Sequence, residues 1–282
     1  MAFEDILLHI DSYPEPTSPA AVEQVVRLVK GLGGRLSALA VQVRFPLESN
    51  AVLDAVIGLG GMIKEEEARS RTACLQSLEH FTATAKAAGV YRDTHLEVAD
   101  LYDFSGHVAL RARTHDICIV PLAADHEGQQ EVAQAAIFGS GRPVLVFQSD
   151  SGPFAAGNFR KVVVAWDGGL SAARAMAEAL PILTRATEVR LLQILNEKPD
   201  GKVPRAAEAA RHLSAHGVAA LVDEIDAAGR TIGVVLDDYL AIQAPDLLVM
   251  GAYGRSRVRE MILGGATRHM LTRPGLPVFM VH

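Results

Sequence analysis

The sequence predicts an α/β protein made of two tandem doubly wound domains, each built on a five-stranded, mainly parallel sheet. Three observations carry that prediction. Both halves open on an apolar run ending in aspartate, Ile6 to Asp11 and Val162 to Asp167. Both contain a run that follows an aspartate and stays apolar throughout, Asp116 to Val120 and Asp246 to Met250, the composition of a strand buried on both faces. Both close on Pro-Val and further apolar residues, Arg142 to Phe147 and Leu276 to Val281, where proline starts the strand and removes no ladder bond inside it.

Between these landmarks, strand-like runs alternate with helix-length patterns. In the second half the strands fall near 161 to 166, 189 to 195, 219 to 225, 246 to 251 and 277 to 281. Such alternation implies right-handed crossovers and a parallel sheet covered on both faces. A chain of 282 residues has the length for two domains. They are expected at 1–150 and 159–282, joined by a linker rich in Gly, Ala and Pro at 151–158.

The halves differ in length: Asp11 to Asp116 spans 105 positions and Asp167 to Asp246 spans 79. The extra residues, about 26, are placed in Glu48 to Glu79, where Gly58, Gly60 and Gly61 break an apolar pattern before a charged helix starting near Met62. This segment reads as an elongated surface helix with a glycine hinge, or alternatively as a lid or a dimer contact. The closing strands, Val144 to Phe147 and Val278 to Val281, are expected to pair edge to edge between the halves, because unpaired sheet edges recruit partners.

Hydrophobic residues make up 49% of the chain and charged ones 21%, which excludes a disordered or fibrous protein. No apolar stretch reaches the roughly 18 residues of a membrane span, and Glu4 and Asp5 stand where a signal peptide is basic, so a cytoplasmic protein without a membrane partner is expected. Cys74 and Cys118 have neither metal-ligand spacing nor a disulfide framework and read as small core residues. A net charge of -6 argues against nucleic acid as a partner. Through Asp150, acidic residues outnumber basic ones 20 to 12, whereas the remainder holds 15 basic against 13 acidic, so an anionic ligand favours the second half.

Open α/β sheets bind ligands beyond the carboxyl ends of their strands. There the chain reads Gly251-Ala252-Tyr253-Gly254-Arg255-Ser256-Arg257-Val258-Arg259 and, further on, Gly264-Gly265-Ala266-Thr267. Gly251 and Gly254 permit close backbone approach to a ligand. Gly264 and Gly265 lead into a helix whose first N–H groups lack internal partners and suit phosphate, with Thr267 adding a hydroxyl. Arg255, Arg257, Arg259 and Arg268 supply positive charge, or solvate an outer helix face. The segment is neither a Walker A loop nor a dinucleotide fingerprint; two tight turns without a ligand are the competing account.

The spacing of two glycines separated by two residues, nine more residues, then a glycine with small or hydroxyl residues resembles the universal stress protein family. The resemblance covers nearly the whole chain, as in the tandem members of that family. It implies a loop that holds the phosphates of ATP, with Mg²⁺ bridging them. By the same resemblance, Asp167 matches the residue that contacts adenosine, and Ile194 falls where an apolar residue lies beside adenine. Met250, Gly251, Gly254, Arg255, Gly264, Gly265 and Thr267 fall around the phosphates and ribose. One departure is Gly265, where many nucleotide binders carry Ser or Thr; a hydroxyl is lost and a backbone N–H kept.

The first half departs further. Pro121 follows Val120, no glycine pair comes after it, and Pro121 has no N–H. Gly139-Ser140-Gly141 is similar only to the second part of the loop, and Asp11 is retained. This half is expected to be degenerate for ATP and to serve packing, dimerisation or regulation.

The expected function is that of a stress-linked sensor or regulator binding ATP in its C-terminal domain, with adenine nucleotide as partner and a possible homodimer. The alternatives are a slow ATPase or autokinase on the same loop, and a dimeric scaffold without nucleotide. Ser256 and Thr267 read as helix cap and ligand contact. His212 and His216 have the i, i+4 spacing of a zinc pair but no third ligand and read as a solvated face. No catalytic residue is assigned, since neither paired carboxylates nor a Ser/His/Asp order appears.

Overall fold

A computed structural model describes residues 3–46, 59–123, 127–149, 158–196, 205–252, 265–272 and 274–282. In the first half, β1 (Asp5–Ile10), α1 (Pro19–Leu32), β2 (Arg35–Arg44), α2 (Leu59–Ala88), β3 (Tyr91–Asp100), α3 (Phe104–Ala112), β4 (Ile117–Leu122), α4 (Glu127–Gly139) and β5 (Val144–Gln148) follow one another. The second half contributes β6 (Lys161–Ala165), α5 (Leu170–Glu178), the short α6 (Leu180–Leu183), β7 (Glu188–Leu195) and α7 (Ala206–Ala215). It continues through β8 (Ala220–Asp226), α8 (Ile232–Gln243), β9 (Leu247–Gly251), α9 (Gly265–Thr272) and β10 (Val278–Val281).

The strands form one ten-stranded sheet in the order β3-β2-β1-β4-β5-β10-β9-β6-β7-β8. Each half is parallel throughout, and the strand order reverses beside its first strand, which opens a crevice at the carboxyl ends of the strands. The junction is the antiparallel pair β5 and β10, with Val146 opposite Val278, Leu145 opposite Phe279 and Val144 opposite Met280. The edge pairing anticipated from the closing strands is therefore present. It makes the sheet continuous, so each hydrophobic core, one per sheet face, draws residues from both halves. Phe279, fully buried, also meets Phe3 with ring centroids 6.1 Å apart.

The sequence chemistry explains the individual elements. Ser18 caps α1 by accepting the Ala21 N–H at 3.2 Å, and Pro19 occupies the first turn where its missing N–H is not needed. β4, β5, β9 and β10 are buried along almost their whole length, as central strands covered on both faces require. Both cysteines are buried and free. Burial pushes the Cys118 thiol up to about 12, which makes it inert.

The long insertion differs from expectation at its start. The helix begins at Leu59, so Gly60 and Gly61 lie in its first turn instead of breaking the pattern. Its buried residues, Ser70, Cys74, Leu78, Phe81 and Ala85, recur every three or four positions and form one stripe. That stripe lies over β2 and against α1, so the described part of the insertion is a packed layer. Residues 48–58 of the expected insertion fall outside the described residues. Among the described residues, no helix is long and apolar enough to cross a membrane.

Candidate functional site

At the crevice of the second half, β6 continues its ladder to Trp166, whose N–H donates to Leu192 O at 2.8 Å, and the chain then turns at Asp167. Asp167 Oδ1 accepts the N–H of Gly169 at 2.7 Å, with Gly168 between them at φ +70°. Gly169 is the N-cap of α5. The carboxylate thus fixes the turn that starts α5 and stays at the carboxyl edge of the sheet, half-buried.

Gly251 ends β9 beside that same helix. A Cβ placed on it would come within 2.6 Å of the Ser171 carbonyl carbon and 2.9 Å of Ala172 Cα. Close backbone approach, read from the sequence as serving a ligand, is thus required by α5 itself. Met250 is 4% exposed and in register with Ala165 and Met280, so its side chain is part of the core. Ile194, near the end of β7, is half-buried against the same core and sits opposite Ile225.

The helix after the glycine-rich segment, α9, starts at Gly265. Gly265 is exposed, and among the described residues a Cβ there would meet no heavy atom within 4 Å. Thr267 is 2% exposed and turned into the protein, whereas Arg268 is exposed on the outer face. Gly254, Arg255 and Gly264, with Ser256, Arg257 and Arg259, lie outside the described residues.

Residues that the sequence reading did not single out orient this edge. His269 Nε2 meets Asp237 Oδ2 at 2.7 Å and ties α9 to α8. Gly233 makes room for the His269 ring, since a Cβ there would lie 2.9 Å from its Cγ. Gln193, a polar residue in a buried stretch of β7, accepts the Ala206 N–H at 2.8 Å and fixes the start of α7. Its signal was a glutamine inside an apolar run; the His269 and Asp237 pair, 32 residues apart, gave none.

The first half shows how its equivalent crevice is closed. Asp11 is 5% exposed; its Oδ1 pairs with His9 Nε2 at 2.9 Å, where Asp167 Oδ1 takes a backbone N–H instead. β2 runs past the end of β1, so beyond Ala40 its backbone pairs with β3 on one side and has no strand on the other. Polar side chains of α2 fill the gap. Ser70 Oγ accepts the Val43 N–H at 3.0 Å, Glu67 accepts the Phe45 N–H at 2.9 Å, and Ser12 Oγ donates to Val41 O while sharing a 2.8 Å bond with Ser70. The helix thereby occupies the space beyond β1 and β2. Ser140 is buried as well, accepting the Arg142 N–H and donating to Ala136 O, so Gly139-Ser140-Gly141 is a helix-to-strand turn.

His212 and His216 bring their rings to 4.9 Å on α7 and its C-cap. Among the described residues, no group of three or more His, Cys, Asp or Glu is arranged to hold a metal ion.

The comparisons with known proteins agree with this architecture. Residues 158–282 match the model of the Universal stress protein family. The second half is a domain of that family, and the first repeats its strand order. No curated protein matches the sequence. The whole chain is similar in structure to a universal stress protein from Archaeoglobus fulgidus, at 17% identity, with a TM-score of 0.72 over 99% of this chain and 97% of that one. It is similar also to a candidate universal stress protein from Pseudomonas aeruginosa (15% identity, TM-score 0.56, 99% and 93% covered). A functionally unknown protein from the same species is similar at 14% identity, with a TM-score of 0.54 over 98% and 92%. At these identities the likeness establishes the shared fold.

Proposed function

We propose that the C-terminal half binds ATP and that the protein acts as a stress-linked sensor or regulator. The observation that carries this reading is a convergence at one edge of the sheet. Asp167 after β6, Ile194 near the end of β7 and Gly251 at the end of β9 lie at the carboxyl ends of three neighbouring strands. The carboxylate suits ribose or adenine polar atoms, Ile194 suits the base, and the positive end of the α9 dipole suits phosphate. Mg²⁺ fits as an ion carried by the phosphates, because it keeps much of its water and needs few protein ligands.

The test is mass spectrometry of nucleotide released from freshly purified, denatured protein, beside Asp167→Ala and Gly254→Asp variants. Adenine nucleotide near one per chain, lost in both variants, is the expected result. Protein that is empty as purified and shows no calorimetric response to Mg-ATP would end this reading. Phosphate release measured on the same samples separates a sensor from a slow ATPase.

A further inference from the structure

The ten-stranded sheet ends at β3 on one side and β8 on the other, and among the described residues neither strand has a partner on its outer edge. In a parallel ladder alternate residues turn both backbone groups to the neighbouring strand. Leu101 donates its N–H to Arg44 O at 2.9 Å, which turns the odd residues of β3 toward β2. Thr94, Leu96 and Val98 therefore hold their N–H and C=O groups outward. Leu96 is 38% exposed and Val98 50%. Leu75 of α2, also 50% exposed, lines the same shallow groove as Leu96, so apolar surface and free backbone meet at this edge.

We infer that β3 pairs antiparallel with β3 of a second copy of the chain, about a two-fold axis at Leu96. A ladder forms only where outward residues oppose outward residues, so the axis must pass through a residue and not between two. Like charges directly opposite one another are destabilising, and this selects among the registers that pair most of the strand. An axis at His95 sets Asp93 against Glu97 of the partner subunit, and an axis at Glu97 sets Glu97 against itself. The axis at Leu96 sets Leu96 against itself, Thr94 against Val98 of the partner subunit and His95 against Glu97 of the partner subunit, with Arg92 toward Asp100 of the partner subunit. No like charges oppose each other in that register. The three central pairs exchange about six main-chain hydrogen bonds.

The other edge has no such register. Ala227 donates its N–H to Leu195 O, so Val222, Glu224 and Asp226 face out from β8. An axis at Asp223 or Glu224 sets an acid against itself, and an axis at Ile225 sets Glu224 against Asp226 of the partner subunit. β8 is thus guarded by charge, whereas β3 is self-complementary. A two-fold contact of this kind closes on itself and ends at a dimer. The inference stands apart from the ATP reading, and it gives the first half, its own crevice filled by α2, a task in assembly.

The experiment is sedimentation velocity on the full chain over a dilution series, beside Leu96→Lys, Leu96→Cys and Val98→Cys. The unaltered protein is expected to show twice the chain mass and to dissociate on dilution. Leu96→Lys places two lysines together at the axis and is expected to sediment as one chain, with its circular dichroism melt, read in parallel, confirming the fold. Residues at the axis face each other at a Cα separation of about 5.5 Å, within disulfide reach, so mild oxidation should crosslink Leu96→Cys. Val98→Cys, opposite Thr94 of the partner subunit, should stay uncrosslinked, and the buried Cys74 and Cys118 give no background. The crosslink tests the axis even if Leu96→Lys lowers the melt. A chain that remains monomeric at the highest concentration would overturn the proposal, as would a dimer that survives Leu96→Lys. Crosslinking through Val98→Cys but not Leu96→Cys would overturn the register.

Discussion

Asp116 and Asp246 perform the same task in the two halves. Asp116 Oδ2 accepts the N–H groups of Glu4 and Asp5 at 2.8 and 2.9 Å, and Asp246 Oδ2 accepts those of Arg160 and Lys161 at 2.8 Å each. Each carboxylate ties the loop before one central strand to the start of its neighbour. Asp246→Ala is therefore expected to cost about 1–3 kcal/mol, the range for N–H donors left without their acceptor. Urea unfolding checks this, and a midpoint equal to that of the unaltered protein would contradict it.

Gly251 and Gly265 stand in one glycine-rich stretch but answer to different constraints. Gly251→Ala forces its methyl into the first turn of α5 and should destabilise by about 1–3 kcal/mol whether or not nucleotide is present. Gly265→Ser meets open space, so it should leave the unfolding midpoint nearly unchanged. Under the ATP reading its hydroxyl adds a phosphate donor, worth about 0.5–1.5 kcal/mol or several-fold in affinity. Thermal melts and Mg-ATP calorimetry on both variants separate the two constraints; a melt shifted more by Gly265→Ser than by Gly251→Ala would reverse the assignment.

Ser70 stands in for a missing strand at the end of β2. Ser70→Ala leaves the buried Val43 N–H without its partner, while the Ser12 hydroxyl keeps Val41 O, and should cost about 1–3 kcal/mol. Because the helix backbone still fills the crevice, the variant should gain no nucleotide in the first half. A second equivalent of bound ATP in Ser70→Ala would show that the side chain alone keeps that crevice closed.

The parts of this fold that could be read from the chain are those written in local pattern. Apolar runs bounded by Asp and Pro gave the strands and their repeat, and the two closing strands, short and apolar, pointed to each other as partners. What escaped depends on which backbone comes near which. Gly251 is visible as a glycine, but its neighbour Ala172 lies 79 residues earlier, and only the packed structure shows that α5 is what approaches. The role of Ser70 likewise follows from β2 outrunning β1, a difference in strand ends that no local pattern encodes. Asp167 and Ile194 were placed by the repeat and by resemblance, whereas His269, Asp237 and Gly233 share no motif and meet only through the folding of α8 against α9.

Glu97 on β3 makes stability depend on acid. Burial alone raises its carboxyl, yet hydrogen bonds from Arg111, with Nε at 3.1 Å, and from His107 Nδ1 at 3.0 Å outweigh burial and hold it below the ordinary carboxylate range. A carboxyl depressed in the folded state contributes stability that is present above its unfolded value and lost as pH falls through the folded one. The link joins edge strand β3 to α3, so the loss should appear in unfolding of the first half. Glu97→Gln should therefore be less stable than the unaltered protein at pH 7, with the gap closing as pH drops from about 5 toward 2. The site keeps some contact with water, and screening limits the effect to a modest fraction of total stability. Urea midpoints for both proteins across that range decide the matter: a gap that stays constant with pH would mean that packing, and not the charge on Glu97, supports β3.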